Sequence, residues 1–304
     1  MSSNIINDIN RLKKEKNAII LAHYYQNPEI QDMADYVGDS FYLSKIAKNT
    51  DAEIIIFCGV HFMGETAKIL SPNKKVYLPV KDAGCYMADT IDEDALLNYK
   101  KNHPDYSYIA YVNTSAKIKA LSDVCVTSSN ALRVINAYKD KNVLYLPDQN
   151  LAKYANHLND KKIDYWHGFC DIHHELTVDD VNKMKEAHPK AVVLIHPEAP
   201  LEVVLKADFA GSTKDMIDFV ATSNEEEFII GTEKGIMHAL NNKYPNKKFY
   251  LLSENLVCRT MKYTTLQDIL DVLTLNKDGR YIEIELDNDV IEKAQHALNE
   301  MLKY

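Results

Sequence analysis

The 304-residue sequence predicts an α/β fold of three pseudo-symmetric, Rossmann-like three-layer domains in a triangular arrangement around a common centre. Three observations predict it: short apolar runs that recur three times, a constant offset from each run to a hydroxyl-rich turn, and one cysteine closing each repeat. The leading runs cover 18–23, 108–113 and 192–196, and each ends in polar residues. Short buried runs followed by helical periodicity read as parallel strands of βαβ units. The turns are Gly38-Asp39-Ser40, Thr127-Ser128-Ser129 and Gly211-Ser212-Thr213. Seventeen residues separate His23 from Ser40, Tyr111 from Ser128 and His196 from Thr213.

A second set of runs follows at 53–57, 143–146 and 227–230, and a third at 75–78, 163–166 and 249–252. The third set leads into Cys85, Cys170 and Cys258, which lie 45, 42 and 45 residues beyond Ser40, Ser128 and Thr213. Internal repeats outrank a length-based domain count. The expected units are therefore 1–86, 87–171 and 172–258, with a tail, 259–304, packing on the first. Within that tail, 290–302 reads as a closing helix set beside an amino-terminal helix over 5–14.

Composition narrows the function. Apolar residues make up 46% and charged residues 26% of the chain, proportions of a globular protein with a real core. The absence of a long apolar run argues against a membrane span. A balance of 35 basic to 44 acidic side chains has the wrong sign for coating a nucleic-acid backbone. Five scattered cysteines suit a cytoplasmic, reducing compartment, where metal binding or catalysis is the meaning of any cysteine that matters.

If the three units share an axis, Cys85, Cys170 and Cys258 meet at one point. Three thiolates hold zinc or an iron–sulfur cubane with one iron left free as a Lewis acid. The plain alternative is three buried structural cysteines, and spacing does not choose among these. Cys58 and Cys125 sit in apolar segments and read as packing residues. Hydroxyls at helix starts cap free N–H groups, and the same groups bind anions. Three equivalent turns facing one axis point to a polyanionic ligand. At the strand ends, His23, Tyr25, Tyr111, His196 and Glu198 bring proton carriers, with Asn113 beside Tyr111 in the second unit; Glu198 would act as acid or base if its carboxyl were raised. His173, beside Cys170, is a weaker candidate. Asn27 reads as an N-cap with Pro28 opening the helix.

Longer motifs carry a resemblance. His23-Tyr24-Tyr25-Gln26, Gln31 through Ser40, Gly59-Val60-His61-Phe62-Met63 and Ala83-Gly84-Cys85-Tyr86-Met87-Ala88-Asp89 come first in the chain. Tyr111 through Ala116, Gly168-Phe169-Cys170, His196-Pro197-Glu198, Ala210-Gly211-Ser212-Thr213 and Gly231-Thr232-Glu233 follow. Together they resemble the quinolinate synthases, the A protein of NAD biosynthesis, over nearly the whole chain. The resemblance implies a 4Fe–4S cluster at the centre, held by Cys85, Cys170 and Cys258. It implies condensation of iminoaspartate with dihydroxyacetone phosphate to quinolinate, phosphate and water, with an aspartate-oxidising enzyme as the source of iminoaspartate. The substrate site it implies comprises His23, Ser40, Tyr111, Val112, Asn113, Ser128, His196, Pro197, Glu198 and Thr213. Helix starts and the side chains of His23 and His196 would hold the anionic groups in reacting geometry, and the resemblance implies Tyr25 and Glu198 as the proton-transfer residues. The chain departs from the family pattern at Arg259, where Pro is common, at Ala199, where Cys is frequent, and at His174, where Glu is usual.

Overall fold

The computed structural model describes residues 2–138, 141–160 and 162–304. Its three sheets repeat one plan. The first contains β1 (Ala18–His23), β2 (Tyr36–Gly38), β3 (Ile54–Cys58) and β4 (Lys75–Leu78). The second contains β5 (Tyr106–Tyr111), β6 (Val124–Val126), β7 (Asn142–Leu146) and β8 (Asp164–Tyr165). The third contains β9 (Val192–Ile195), β10 (Phe209–Ala210), β11 (Glu227–Gly231) and β12 (Lys248–Leu251). Strand orders are β4-β3-β1-β2, β8-β7-β5-β6 and β12-β11-β9-β10, with every one of these pairs parallel. Crossovers of this kind bring all carboxyl ends of a sheet to one side, where ligands bind.

The apolar runs became strands because both of their faces are covered. Ile20 and Leu21 in β1, Ile109 and Ala110 in β5, and Val193 and Leu194 in β9 are fully buried. Three short strands, β2, β6 and β10, lie outside the sequence expectation. Each is two or three residues long and leads directly into a hydroxyl turn. An aspartate before each fixes it. Asp35, Asp123 and Asp208 accept the amides of Ile20, Tyr108 and Val193 at 2.8, 2.7 and 2.8 Å through their side chains. Their own amides donate to the carbonyls of the same three residues at 2.9 Å. The same two-way clamp in all three units is evidence of repetition independent of the cysteine spacing.

The tail is divided between two partners. β13 (Ile282–Glu283) adds an antiparallel edge to β4, and the helix Leu266–Thr274 packs on the amino-terminal helix Ser2–Glu15. The helix expected in that place, Asn288–Met301, instead wedges between the helix His61–Leu70 of the first unit and the helix Ala116–Ala120 and β6 of the second. Its buried Ala294, Ala297, Leu298 and Met301 form one apolar stripe in a core shared by both units. An amphipathic face is buried wherever a complementary groove lies, and the groove here is between units. Among the described residues, no helix is long and apolar enough to cross a membrane.

Candidate functional site

The carboxyl ends of β1, β5 and β9 deliver His23, Tyr111 and His196 to one cavity of about 650 Å³, its mouth included. Ser40, Ser128 and Thr213 reach it from the hydroxyl turns, and Cys85, Cys170 and Cys258 from the loops after β4, β8 and β12. Tyr25, Val112, Asn113 and Glu198 also line it. Pro197 does not; it is buried between His196 and Glu198 and shapes that turn.

Of the caps the hydroxyl turns suggested, Ser212 is in place, whereas Asp39 caps where Ser40 was expected and neither Ser128 nor Ser129 caps the second helix. Asp39 caps the helix Ser40–Asn49 by accepting the Tyr42 amide at 2.8 Å, and Ser212 caps Thr213–Thr222 in a capping box with Asp215. The Asn130 carboxamide accepts the Thr127 amide at 2.8 Å before the helix Ala131–Ala137. Ser40 and Thr213 are therefore first helical residues, with hydroxyls left over for the cavity. Ser129 ties the three turns together, its hydroxyl 2.8 Å from Asp39 Oδ2 and 3.0 Å from Ser212 Oγ. At the other predicted cap, Asn27 precedes Pro28 as expected, but its side chain donates to the Lys262 carbonyl at 3.2 Å.

Two imidazoles are set in the same way. His23 Nδ1 accepts the Tyr25 amide at 3.2 Å, and His196 Nδ1 accepts the Glu198 amide at 3.3 Å. Because each Nδ1 uses its lone pair, each neutral ring carries its proton on Nε2. Burial, helped at His23 by Lys262, lowers that pKa to about 3, and burial lowers His196 to about 4. Both rings are neutral hydrogen-bond donors at physiological pH.

A hydrogen-bonded path runs through the site across all three units. Tyr111 Oη donates to Glu198 Oε1 at 2.5 Å, and Glu198 Oε2 is 3.0 Å from His173 Nδ1. His173 Nε2 is 2.9 Å from Thr232 Oγ1, which is 2.6 Å from Tyr25 Oη; Tyr25 Oη is also 2.8 Å from Thr213 Oγ1. Burial alone would raise the Glu198 carboxyl, but the hydrogen bonds from His173 and the Tyr111 hydroxyl outweigh it and hold the group below its usual range. The raised carboxyl asked of Glu198 by the sequence reading is not what this environment sets up. Burial and the Glu198 charge push the phenols of Tyr25 and Tyr111 well above their usual range. The site thus pairs a carboxylate acceptor with two protonated phenols.

Sequence reasoning ranked His173 low, yet it is a junction: its Nδ1 also lies 3.2 Å from Cys170 Sγ. Thr232 received no role, although its position just past a strand's carboxyl end was the signal to read. Cys58 and Cys125 are fully buried, as packing residues should be.

The thiols form a chemically coherent donor set. Each is desolvated, and burial raises all three pKa values, so without a cation they stay protonated. Amides counteract this at every sulfur: Ala88 and Met87 at Cys85, His173 at Cys170, and Met261, with the Thr260 hydroxyl, at Cys258. Short helical turns after Cys85 and Cys258 aim those amides inward. Arg259 has φ −58°, within the range a proline would impose, so the departure from the family pattern leaves this turn intact. Cys170, His173 and Glu198 form a second metal-capable group, with one ligand atom from each within 4.8 Å of the others.

Three sheets that present their carboxyl ends to one thiol-lined cavity define a three-lobed α/β protein built around small-molecule chemistry at a metal-capable centre. Comparison with known proteins narrows that class. A family model described as quinolinate synthetase A protein matches residues 7–303. A quinolinate synthase of Alkaliphilus metalliredigens is 51% identical over 302 residues, covering 99% of this chain and 98% of the relative. One from Caldicellulosiruptor bescii is 49% identical over 298 residues, covering 98% and 97%. One from Clostridium perfringens is 48% identical over 300 residues, covering 98% of each. The chain belongs to the quinolinate synthetase A family and is an enzyme.

Proposed function

We propose that this enzyme condenses iminoaspartate with dihydroxyacetone phosphate to give quinolinate, phosphate and two waters, in the cytoplasm, as a step of de novo NAD biosynthesis. Cys85, Cys170 and Cys258 would hold a 4Fe–4S cluster. The observation that carries this reading is the meeting of one thiol from each repeat with the imidazoles, phenols and hydroxyls in a single cavity. When bound, the cluster supplies Lewis acidity at an iron without a protein sulfur, which assists loss of hydroxide from the substrate.

The chain's own residues divide the remaining work. The substrates bring two carboxylates and one phosphate, and the helix starts at Ser40 and Thr213, with the Ser128 turn, receive anions locally. No lysine or arginine is among the described residues lining the cavity, so neutral donors do the binding. The Nε2–H groups of His23 and His196 donate to substrate oxygens, and Asn113 adds its carboxamide. Val112 supplies apolar wall, and Pro197 keeps His196 and Glu198 in register. Fixing both substrates in this way removes much of the entropic barrier to forming the carbon–carbon bond as phosphate leaves. Glu198 accepts a proton and Tyr25 donates one, with His173 and Thr232 connecting them during ring closure.

Anaerobic incubation of the purified protein with both substrates should yield quinolinate. The protein should be brown and carry iron and acid-labile sulfide. A second reading places a single metal ion on Cys170, His173 and Glu198; metal without sulfide would favour it. An aspartate-oxidising enzyme is the proposed supplier of iminoaspartate, to be tested by coupled turnover.

A further inference from the structure

The repeat identifies residues that hold the cysteine loops. The amides of His61, Gln149 and Lys234 donate to the carbonyls of Ala83, Gly168 and Leu256 at 2.8, 2.8 and 2.9 Å, each carbonyl two residues before a cysteine. The residues preceding those donors are therefore equivalent: Val60, Asp148 and Glu233. The three differ in what they do. Val60 is apolar. Asp148 is fully buried; its Oδ1 caps a helix through the Asn150 and Leu151 amides at 2.7 and 2.9 Å, and the Cys170 amide also acts on its carboxyl.

Glu233 faces its cysteine directly. It has no solvent exposure, and its Oε1 accepts the Cys258 amide at 3.1 Å. Its Oε2 accepts the Gly235 amide at 2.6 Å. Lys262 Nζ lies 2.9 Å from Oε1 and 3.1 Å from Oε2, and also donates to the Tyr25 carbonyl. One partly buried ion pair thus joins the Cys258 loop to the Tyr25 loop of a different repeat. Gly235 permits the approach, since a Cβ there would lie 2.7 Å from Tyr25 Cα and 2.8 Å from Glu233 Oε2.

We propose that Glu233 is the positioning residue of Cys258, and that its pairing with Lys262 makes presentation of the third sulfur and docking of the Tyr25 loop one event. This rests on the reading that Cys258 binds the cluster. A carboxylate suits the place because both of its oxygens accept. A glutamine would turn an NH₂ toward either the Gly235 or the Cys258 amide, donor against donor. Removing Lys262 instead leaves a buried, unpaired carboxylate.

The test uses the reconstituted holoenzyme with Glu233→Gln, Lys262→Met and Lys262→Arg. Iron and sulfide per chain, the rate of iron loss to a chelator, and the thermal midpoint are measured together. The first two variants should lose iron roughly 10–100-fold faster than the parent, the scale on which groups supporting metal ligands act. Lys262→Arg should restore most of the retention. Glu227→Gln, which removes an exposed pair with Lys248, should leave it unchanged. Parental iron loss in Glu233→Gln and Lys262→Met overturns the proposal, whatever their thermal midpoints. If Glu233→Gln does not fold, the two Lys262 variants decide, and equal iron loss in both counts against the proposal. A parent protein that takes up no iron overturns the cluster reading itself, a result distinguishable from loss confined to the variants.

Discussion

Glu198 concentrates the chemistry of single residues. It is buried, held as a carboxylate, and touches a phenol and an imidazole from different parts of the chain. Glu198→Gln keeps the shape and removes the proton acceptor. Turnover should fall by roughly 10²–10⁴-fold while KM changes only a few-fold, as read by anaerobic steady-state kinetics. Equal losses in both would make Glu198 a substrate anchor instead. The histidines predict a pH effect on stability. His23 and His196 titrate near 3 and 4 when folded and near 6.5 when unfolded. Between those values the unfolded chain binds protons that the folded one refuses, so stability falls as pH falls below about 6.5. Urea midpoints should drop between about pH 7 and pH 5, and drop less in His23→Gln. The residue types at the strand ends were legible in the sequence. Their tautomers and charges were not, because these depend on amides and burial supplied by folding.

Secondary-structure elements divide into those the sequence shows and those it hides. β1, β3 and β4 stand out as apolar runs, and so do their counterparts. β2, β6 and β10 are two or three residues long and owe their pairing to Asp35, Asp123 and Asp208 rather than to any periodic pattern. The helix Asn288–Met301 was visible from its spacing, whereas its partners were not. A stripe such as Ala294, Leu298 and Met301 declares that something covers it without saying what. Leu298 is fully buried in the core shared by the first two units. Leu298→Ala should cost about 2–5 kcal/mol in urea unfolding. Wild-type stability in that variant would mean the helix is peripheral.

The whole molecule brings together groups that the chain keeps far apart: Tyr25 meets Thr232 across 207 positions, and Tyr111 meets Glu198 across 87. Replacing any one of Cys85, Cys170 or Cys258 by Ser should lower iron content and abolish quinolinate formation. Full activity in any of the three variants would defeat the proposed role of the cluster. The sequence by itself determined the threefold plan, the strands that lie in apolar runs, the equivalence of the three cysteines and the family, because local burial and repeated spacing are written along the chain. Only the tertiary structure decided that Asp39 rather than Ser40 is a cap, the proton positions on His23 and His196, the ionised state of Glu198 and the grip of Glu233 on Cys258. Those features are set by hydrogen bonds and desolvation between units, and no local pattern of residues encodes which distant group arrives to make them.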